Sequence, residues 1–250
     1  MNIFLTTQMR TGSTWLVELI SGLFGAQWDF WEKGRYIEAS RFKEQIKNGS
    51  DGGWNVIKMH YTHPKTICDC IPKGDKKNFV INITRDIMDV AVSKILYMRY
   101  DTPLRSLERL QSINDMRHNF GNKTLGDKRY INLFIKSPNF NHIVKNWLMY
   151  NDGYNHPNYY QVSYELLHRR RLFVMREICN FIGIERDHKA LRQVIVSNNF
   201  ASKSGRPNGK GINSSFRRKG IIGDHENYIN QRNRDYIRRL VAEGMVKWKK

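Results

Sequence analysis

The sequence has little cysteine and no long apolar run. Its three cysteines are Cys68, Cys70 and Cys179, too few for a disulfide framework at this length. One residue separates Cys68 from Cys70, and no second pair exists, which argues against a cysteine-based zinc site. No run approaches the roughly 18 to 20 apolar residues that span a bilayer. Residues 3–5 are too few for the apolar core of a secretory signal, so we expect a cytoplasmic protein without a transmembrane segment.

Acidic residues are scarce relative to basic ones. The chain has 42 Lys and Arg against 23 Asp and Glu, a formal net charge of +19. This excess predicts a positive surface potential that attracts anionic partners. Nucleic acid, a nucleotide, an acidic glycan and an anionic membrane surface all fit, and charge alone does not choose among them. With 250 residues, of which 40% are hydrophobic, the chain can bury a full core, and we expect a single domain.

Short β-prone runs alternate with helical patterns along the chain. The runs lie at 2–7, 54–61, 78–84 and 159–164, and helical spacing follows from Trp15, from Asp86, over 139–150 and over 172–182. This alternation predicts a three-layer α/β sandwich with a central, mainly parallel sheet, whose ligands sit at the carboxyl ends of the strands. Residues 99–140 are polar, basic and weakly periodic, and we expect an insertion or lid there. Residues 202–223 are basic and glycine-rich, and we expect a loop there.

The stretch between the first strand and the first helix has the composition of an anion site. A helix N-terminus presents unpaired N–H groups and the positive pole of the helix dipole. Gly12 allows close approach of the backbone, Ser13 and Thr14 add hydroxyls, and Arg10 adds a permanent cation. The alternative is an ordinary N-cap, in which Thr11 or Ser13 caps the helix.

Cations and hydroxyls recur where successive strands are predicted to end. Arg10 follows the first strand, Lys58 and His60 end the second run, and Arg85 ends the third, with Ser93 eight residues later. Lys58 and His60 share one face of a strand because side chains alternate. A nucleotide with phosphates at two ends of its ribose would use two such sites. The chain lacks the Gly-x-x-x-x-Gly-Lys-Ser/Thr sequence of P-loop kinases.

These residues resemble the sulfotransferases that use 3′-phosphoadenosine 5′-phosphosulfate. The family's Pro-Lys-Ser-Gly-Thr-Thr-Trp loop is similar to residues 9–15, MRTGSTW, and its strand-end arginine with a serine eight residues later is similar to Arg85 and Ser93. Its Lys-Thr-His segment is similar to residues 58–60, and its Phe-x-Arg-Lys-Gly-x-x-Gly-Asp signature to residues 216–224. Weaker similarities are Tyr164-Glu165, Asn198-Asn199-Phe200 and Asn227. The matches run from residue 9 to residue 227 in the family's order, and they imply the family's P-loop-like nucleotide-binding fold.

The resemblance assigns nucleotide-binding roles. It implies that Trp15 and Phe200 sandwich the adenine, with Tyr164 at the edge of the base. It implies that Arg85, Ser93, Arg218, Lys219 and the Gly220 backbone hold the 3′-phosphate, and that the 202–223 loop closes over the nucleotide. The 5′-phosphosulfate would lie on Arg10 and the loop. The predicted cofactor-binding residues are Arg10, Thr11, Gly12, Ser13, Thr14, Trp15, Arg85, Ser93, Tyr164, Phe200, Phe216, Arg218, Lys219 and Gly220.

The resemblance also implies a sulfuryl transfer without metal. Its predicted catalytic residues are His60, Lys58, Arg10 and Ser93. His60 would take the proton of the acceptor hydroxyl, Lys58 would assist on the sulfuryl oxygens, and Arg10 would act as a fixed charge at the bridging oxygen. His63 is a competing candidate for the base. The 99–140 insertion would build the acceptor site.

The chain departs from the family's pattern in two places. Arg10 stands where the cytosolic branch has lysine, so the loop looks more like that of carbohydrate sulfotransferases. His225 and Glu226 replace the family's tryptophan and lysine, so we expect a monomer or a dimer of another type. The expected acceptor is a small molecule or a glycan, and the positive net charge favours an acidic one. No specific nucleic acid is expected. The alternatives are a basic nucleic-acid-binding protein and a P-loop-type kinase that uses magnesium.

Overall fold

The computed structural model describes residues 1–31, 39–48, 53–60, 62–100, 127–205, 207 and 219–248. These residues divide into two compact units, Met1–Arg85 with Met149–Gly205, and Asp86–Leu148 with Arg206–Lys250. Residues 101–126 of the predicted insertion and residues 206 and 208–218 of the predicted basic loop lie outside the described residues, whereas residues 202–204 of that loop are helical. The roles expected of those two stretches therefore stay predictions.

A parallel sheet forms the centre of the first unit. Its strands are β1 (Asn2–Thr7), β2 (Trp28–Trp31), β3 (Asn55–His60), β4 (Asn78–Thr84) and β5 (Tyr159–Ser163), in the spatial order β2-β3-β1-β4-β5. Every neighbouring pair is parallel, which confirms the expected sheet. Ile3, Phe4 and Leu5 in the central strand have no exposed surface, as an apolar run covered on both faces requires.

The helices of this unit follow the strands. They are α1 (Ser13–Phe24), α2 (Ala39–Asn48), α3 (Pro64–Cys68), α7 (Tyr164–Arg169), α8 (Arg171–Ile182), α9 (His188–Ser197) and α10 (Phe200–Ser204). The predicted stop of α8 is confirmed, since Gly183 ends it with a φ of 77°.

Two details of the first unit differ from the expectation. The strand β2 is not predicted from the sequence, because its four residues are too few to show a period. Tyr164 was expected in the last strand, but it is the first residue of α7. The reason is a cap: the Ser163 side chain accepts a hydrogen bond from the Leu166 N–H at 3.3 Å, which starts the helix there.

Amides lock the register at the amino ends of the strands. Asn2 lies opposite Asn55 on one side and Asn78 on the other. Its side chain donates to the Asn78 Oδ1 at 2.7 Å and accepts from the Asn55 amide at 3.1 Å. Because a slip of one residue would break this row of bonds, the carboxyl ends of β1, β3 and β4 are held level with one another.

The second unit is helical. It contains α4 (Ile87–Tyr100), α5 (Asp127–Phe134), most of α6 (Pro138–Tyr150), a 3₁₀ turn at Asp224–Asn227 and α11 (Gln231–Trp248). The helices predicted from Asp86 and over 139–150 are both present. Their apolar faces enclose a core that includes Ile95, Leu96, Phe134 and Phe140, against which Trp147 packs.

Candidate functional site

The loop between β1 and α1 has an unusual backbone. Gly12 is the N-cap residue of α1, with φ 93° and ψ 15°, and Arg10 has a φ of 76°. Gly12 has no side chain that could cap the helix, and the first turn of α1 contains no acidic residue. The ordinary cap by Thr11 or Ser13 is therefore absent. The positively polarised N-terminus of α1 is therefore suited to binding an anionic ligand.

The hydroxyl of Thr11 has an internal role in this loop. Thr11 and Thr7 are both buried, their hydroxyls contact each other, and each donates to the Gln8 carbonyl at 2.9 Å. Thr11 therefore fixes the shape of the loop through its side chain. Its predicted contact with a cofactor could be made only through its backbone.

Gly12 lies against the ring of Tyr164. A Cβ atom added at Gly12 would lie 2.5 Å from the Tyr164 Cδ2 atom and 2.7 Å from Cε2. The glycine is thus required twice, once for its positive φ and once for the close approach of the tyrosine. Tyr164 is buried, and its position after β5 brings it to the loop that follows β1.

Trp15 is held from several sides. Its indole N–H donates to the Asn198 carbonyl at 2.8 Å, and its ring makes edge contacts with Tyr164 and His168 at centroid distances of 5.9 Å and 6.2 Å. The guanidinium carbon of Arg171 lies 5.3 Å from the ring centroid. The sequence analysis missed His168 and Arg171. The only signal for them was the basic run after Tyr164.

Arg85 reaches the same place from the end of β4. Its guanidinium carbon lies 4.3 Å from the Tyr164 ring centroid, and its Nη1 group donates to the Arg10 carbonyl at 3.4 Å. The structure therefore brings Gly12, Trp15, Tyr164 and Arg85 into one cluster, and all four are among the predicted cofactor-binding residues. The arginine side chain also supports the strained loop directly.

Lys58 contacts the first turn of α1. Its side chain is 4% exposed, and its ammonium donates to the Thr14 hydroxyl at 2.6 Å. The ring centroid of Trp28 lies 5.6 Å from the same ammonium. Burying a lysine ammonium costs desolvation free energy. Here the buried ammonium lies at the N-terminus of α1, where it adds to the positive potential of the helix.

His60 ends β3 beside the end of β1. Its Nδ1 atom lies 3.2 Å from the Thr7 carbonyl, and the ring is 9% exposed. A carbonyl oxygen only accepts, so Nδ1 carries the proton and Nε2 is the basic nitrogen of the neutral ring. This is the tautomer that a general base at Nε2 requires.

His63 has a capping role instead. Its Nδ1 atom accepts from the Lys65 N–H at 3.0 Å and caps α3. Burial lowers its pKa below the ordinary value, and the raising effects of Asp152 and of the hydrogen bond to Met149 do not offset this. The Nδ1 atom of His63 is thus occupied as the acceptor of a helix cap.

The other predicted residues belong to different parts of the chain. Phe200 is the first residue of α10, two positions after Asn198, whose carbonyl binds Trp15. Phe216 and Arg218 lie outside the described residues. Ser93, Lys219 and Gly220 belong to the second unit. There Ser93 is buried in α4, and the Lys219 ammonium pairs with the buried Asp224 carboxylate at 2.8 Å.

In the part of the chain that the structure describes, we find no helix of the length and apolarity needed to cross a membrane.

The chain matches known proteins at the level of family and fold. A sequence model of the sulfotransferase domain matches residues 1–249. Mouse sulfotransferase SULT7A1, solved in complex with PAP, has 20% identity and a TM-score of 0.66, covering 98% of this chain and 84% of that one. Retinol dehydratase in a complex with retinol and PAP has 15% identity and a TM-score of 0.59, covering 98% and 81%. A second complex of retinol dehydratase, with androsterone and inactive cofactor PAP, has 13% identity and a TM-score of 0.57, covering 98% and 80%.

A comparison with curated protein sequences gives no match. The family match nevertheless extends over nearly the whole chain, and it agrees with a parallel five-stranded sheet whose first strand leads through a glycine loop into a helix. The chain belongs to the sulfotransferase domain family.

Proposed function

We propose that this protein transfers a sulfuryl group from 3′-phosphoadenosine 5′-phosphosulfate to the hydroxyl group of an acceptor. The observation that carries the proposal is the convergence on the first turn of α1. There an uncapped helix N-terminus, the buried Lys58 ammonium and the Arg85 guanidinium lie beside Gly12, Thr14 and Tyr164. This arrangement suits a polyanion with an aromatic base.

The nucleotide would bind through contacts that the cluster already prepares. Trp15 supplies an aromatic surface whose orientation is held by the Asn198 carbonyl and by Tyr164, so stacking a base on it costs little reorganisation. The phosphosulfate would lie over the loop, where Arg10, Lys58 and the α1 N-terminus stabilise charge on the oxygen that leaves sulfur. Arg85 would bind the 3′-phosphate. The resemblance assigns Ser93, Lys219 and Gly220, with Phe216 and Arg218, to that same phosphate.

The chemical step would be an in-line displacement at sulfur. The acceptor oxygen forms a bond to sulfur as the bond from sulfur to the 5′-phosphate oxygen breaks, and adenosine 3′,5′-bisphosphate leaves. The acceptor proton passes to Nε2 of His60, because the Thr7 carbonyl keeps the other nitrogen protonated. Lys58 would neutralise the sulfuryl oxygens during transfer, and Arg10 remains charged throughout.

The acceptor would be a small molecule or a glycan. Retinol dehydratase has been solved with retinol and with androsterone, both small hydroxyl compounds. The net charge of +19 favours an acidic acceptor of either kind.

Calorimetric titration with adenosine 3′,5′-bisphosphate tests the nucleotide site. We expect binding that exceeds the binding of ATP with magnesium. Trp15→Ala removes a stacking surface worth about 1 to 3 kcal/mol, an affinity loss of about 5- to 150-fold. Arg85→Ala removes a charged donor worth about 1.5 to 3 kcal/mol, a loss of about 10- to 150-fold.

A matched control uses another tryptophan. Trp54 stacks on Phe24 at a centroid distance of 4.1 Å, away from the cluster, so Trp54→Ala should leave the nucleotide affinity unchanged. Equal binding of ATP and the bisphosphate would favour the kinase alternative. If RNA or DNA displaces the nucleotide, and the affinity for the nucleic acid falls steeply with salt, the nucleic-acid alternative is favoured.

Replacing Lys58 by Met separates binding from chemistry. The side chain keeps its unbranched shape and is one atom shorter, and the charge and the hydrogen bond to Thr14 are lost. We expect kcat to fall about 10²-fold or more, with the affinity for adenosine 3′,5′-bisphosphate, which has no sulfuryl group, changed only a few-fold. If both quantities fall equally, Lys58 binds phosphate and does not act on the sulfuryl group.

A further inference from the structure

Two buried carboxylates organise the segment 219–227 in the second unit. The first is Asp89, in the first turn of α4, which has almost no exposed surface. It accepts from the N–H groups of Gly223 at 2.8 Å and of His225 at 3.0 Å. The His225 Nδ1 atom lies 3.0 Å from the same carboxylate. A single acidic side chain thus holds the segment against the start of α4.

The second carboxylate lies within the segment itself. Asp224, 1% exposed, accepts from the Lys219 ammonium at 2.8 Å and from the Asn227 amide at 3.0 Å. Burial alone would lower the pKa of Lys219, but the bond to Asp224 and the neighbouring Tyr228 outweigh it and raise that pKa. Lys219 therefore stays charged, and its position depends on how the 223–225 backbone is held.

This arrangement relates three residues of the predicted phosphate site. Ser93 lies four positions after Asp89, and residues four apart on a helix share a face. The Gly223 and His225 N–H groups donate to Asp89 and so hold residues 223–225 against α4. Lys219 and Gly220 belong to the same segment, which is therefore kept near the face of α4 that carries Ser93.

His225 is the titratable member of this group. Among the described residues, the charged groups that face it are Asp89 in α4, Asp86 just before α4, whose Oδ1 atom lies 3.7 Å away, and Glu226 in its own segment. All three are acidic. They favour the protonated ring, and the partly buried position limits screening by water.

We propose that His225 is a positioning residue for the 3′-phosphate, whose imidazolium clamps the 219–225 segment onto α4 through Asp89 and so holds Lys219 and the Gly220 amide in place. This inference rests on the proposed function, because it assigns a ligand to Lys219 and Gly220. It also predicts that nucleotide affinity depends on the charge of His225.

The direction of the pH dependence follows from the clamp. The hydrogen bond to Asp89 raises the pKa of His225 above its ordinary value, against the opposing effect of burial, and Asp86 and Glu226 act in the same direction as Asp89. The stabilisation is complete below the ordinary pKa of about 6.5. It is lost as the pH rises through the raised pKa.

The test compares the wild type with His225→Asn. The asparagine amide can replace Nδ1 as the donor to Asp89, but it does not titrate. We expect the wild type to bind adenosine 3′,5′-bisphosphate about fivefold more tightly than the variant at pH 6, and this advantage to be lost as the pH rises through the raised pKa of His225. Titration of the ligand's own phosphate affects both proteins equally. An affinity ratio that stays constant as the pH rises from 6 into the alkaline range, or no advantage at pH 6, would overturn the proposal.

A second readout needs no ligand. Hydrogen exchange of the Gly223 and His225 amides, both donors to Asp89, reports the clamp directly. Their protection relative to the variant should fall as the pH rises. If the wild type fails to bind the bisphosphate at every pH, the proposed function fails, whereas the exchange data still decide whether the clamp exists. Equal protection in both proteins at every pH means that no charge-dependent clamp exists.

Discussion

Replacing His60 by Asn is expected to lower kcat by about 10²- to 10⁴-fold, the usual contribution of a general base. The asparagine amide keeps a donor where Nδ1 meets the Thr7 carbonyl, so the end of β3 should keep its shape. The affinity for adenosine 3′,5′-bisphosphate should change by less than about twofold, because the base contacts the acceptor and not the nucleotide. Steady-state kinetics with an accepted hydroxyl substrate, together with calorimetry, measure both effects.

His63→Asn is the matched control for this experiment. Asparagine is a good N-cap residue and can replace the histidine as acceptor of the Lys65 N–H, so α3 should remain intact. We expect kcat to stay within about threefold of the wild type. A large loss in His63→Asn and none in His60→Asn would exchange the roles of the two histidines.

Among substitutions that add a single methyl group to the first unit, we expect Gly12→Ala to lower the unfolding free energy most. The new Cβ would lie 2.5 Å from the Tyr164 ring at a φ of 93°, and the ring is held between Trp15 and Arg85. Either the loop or the tyrosine must move, so we expect a loss of about 3 kcal/mol in unfolding free energy. Nucleotide affinity should fall about 100-fold or more if the displaced loop no longer presents its N–H groups.

Gly25→Ala separates crowding from backbone strain. Gly25 ends the same helix with a φ of 62°, and a Cβ there meets nothing within 4 Å. It should cost only about 1 to 2 kcal/mol, the penalty of the left-handed conformation for a residue with a Cβ atom, and leave nucleotide binding intact. Denaturant unfolding and calorimetry on both variants are sufficient. If the two substitutions lower stability and nucleotide affinity equally, the contact with Tyr164 is not the reason that position 12 requires glycine.

Much of the fold could be predicted because its signals are local. The apolar runs at 78–84 and 2–7 are long enough to identify strands buried on both faces, and Gly183 marks a helix end by its own conformational freedom. The four-residue strand β2 has no such signal. Its pairing with β3 comes from the completed sheet, which lies outside any local window.

The sequence by itself determined which residue types stand at the carboxyl ends of the strands. The alternation of strand and helix implies a parallel sheet, and that sheet brings Arg10, Lys58, His60 and Arg85 to one edge. Only the tertiary structure decided what each side chain does there. In that structure the Tyr164 ring packs against Gly12, the His60 Nδ1 atom donates to the Thr7 carbonyl, and His63 caps α3. These contacts join residues that are distant in the chain or equivalent in type, and their choice depends on angles and distances that no residue pattern encodes.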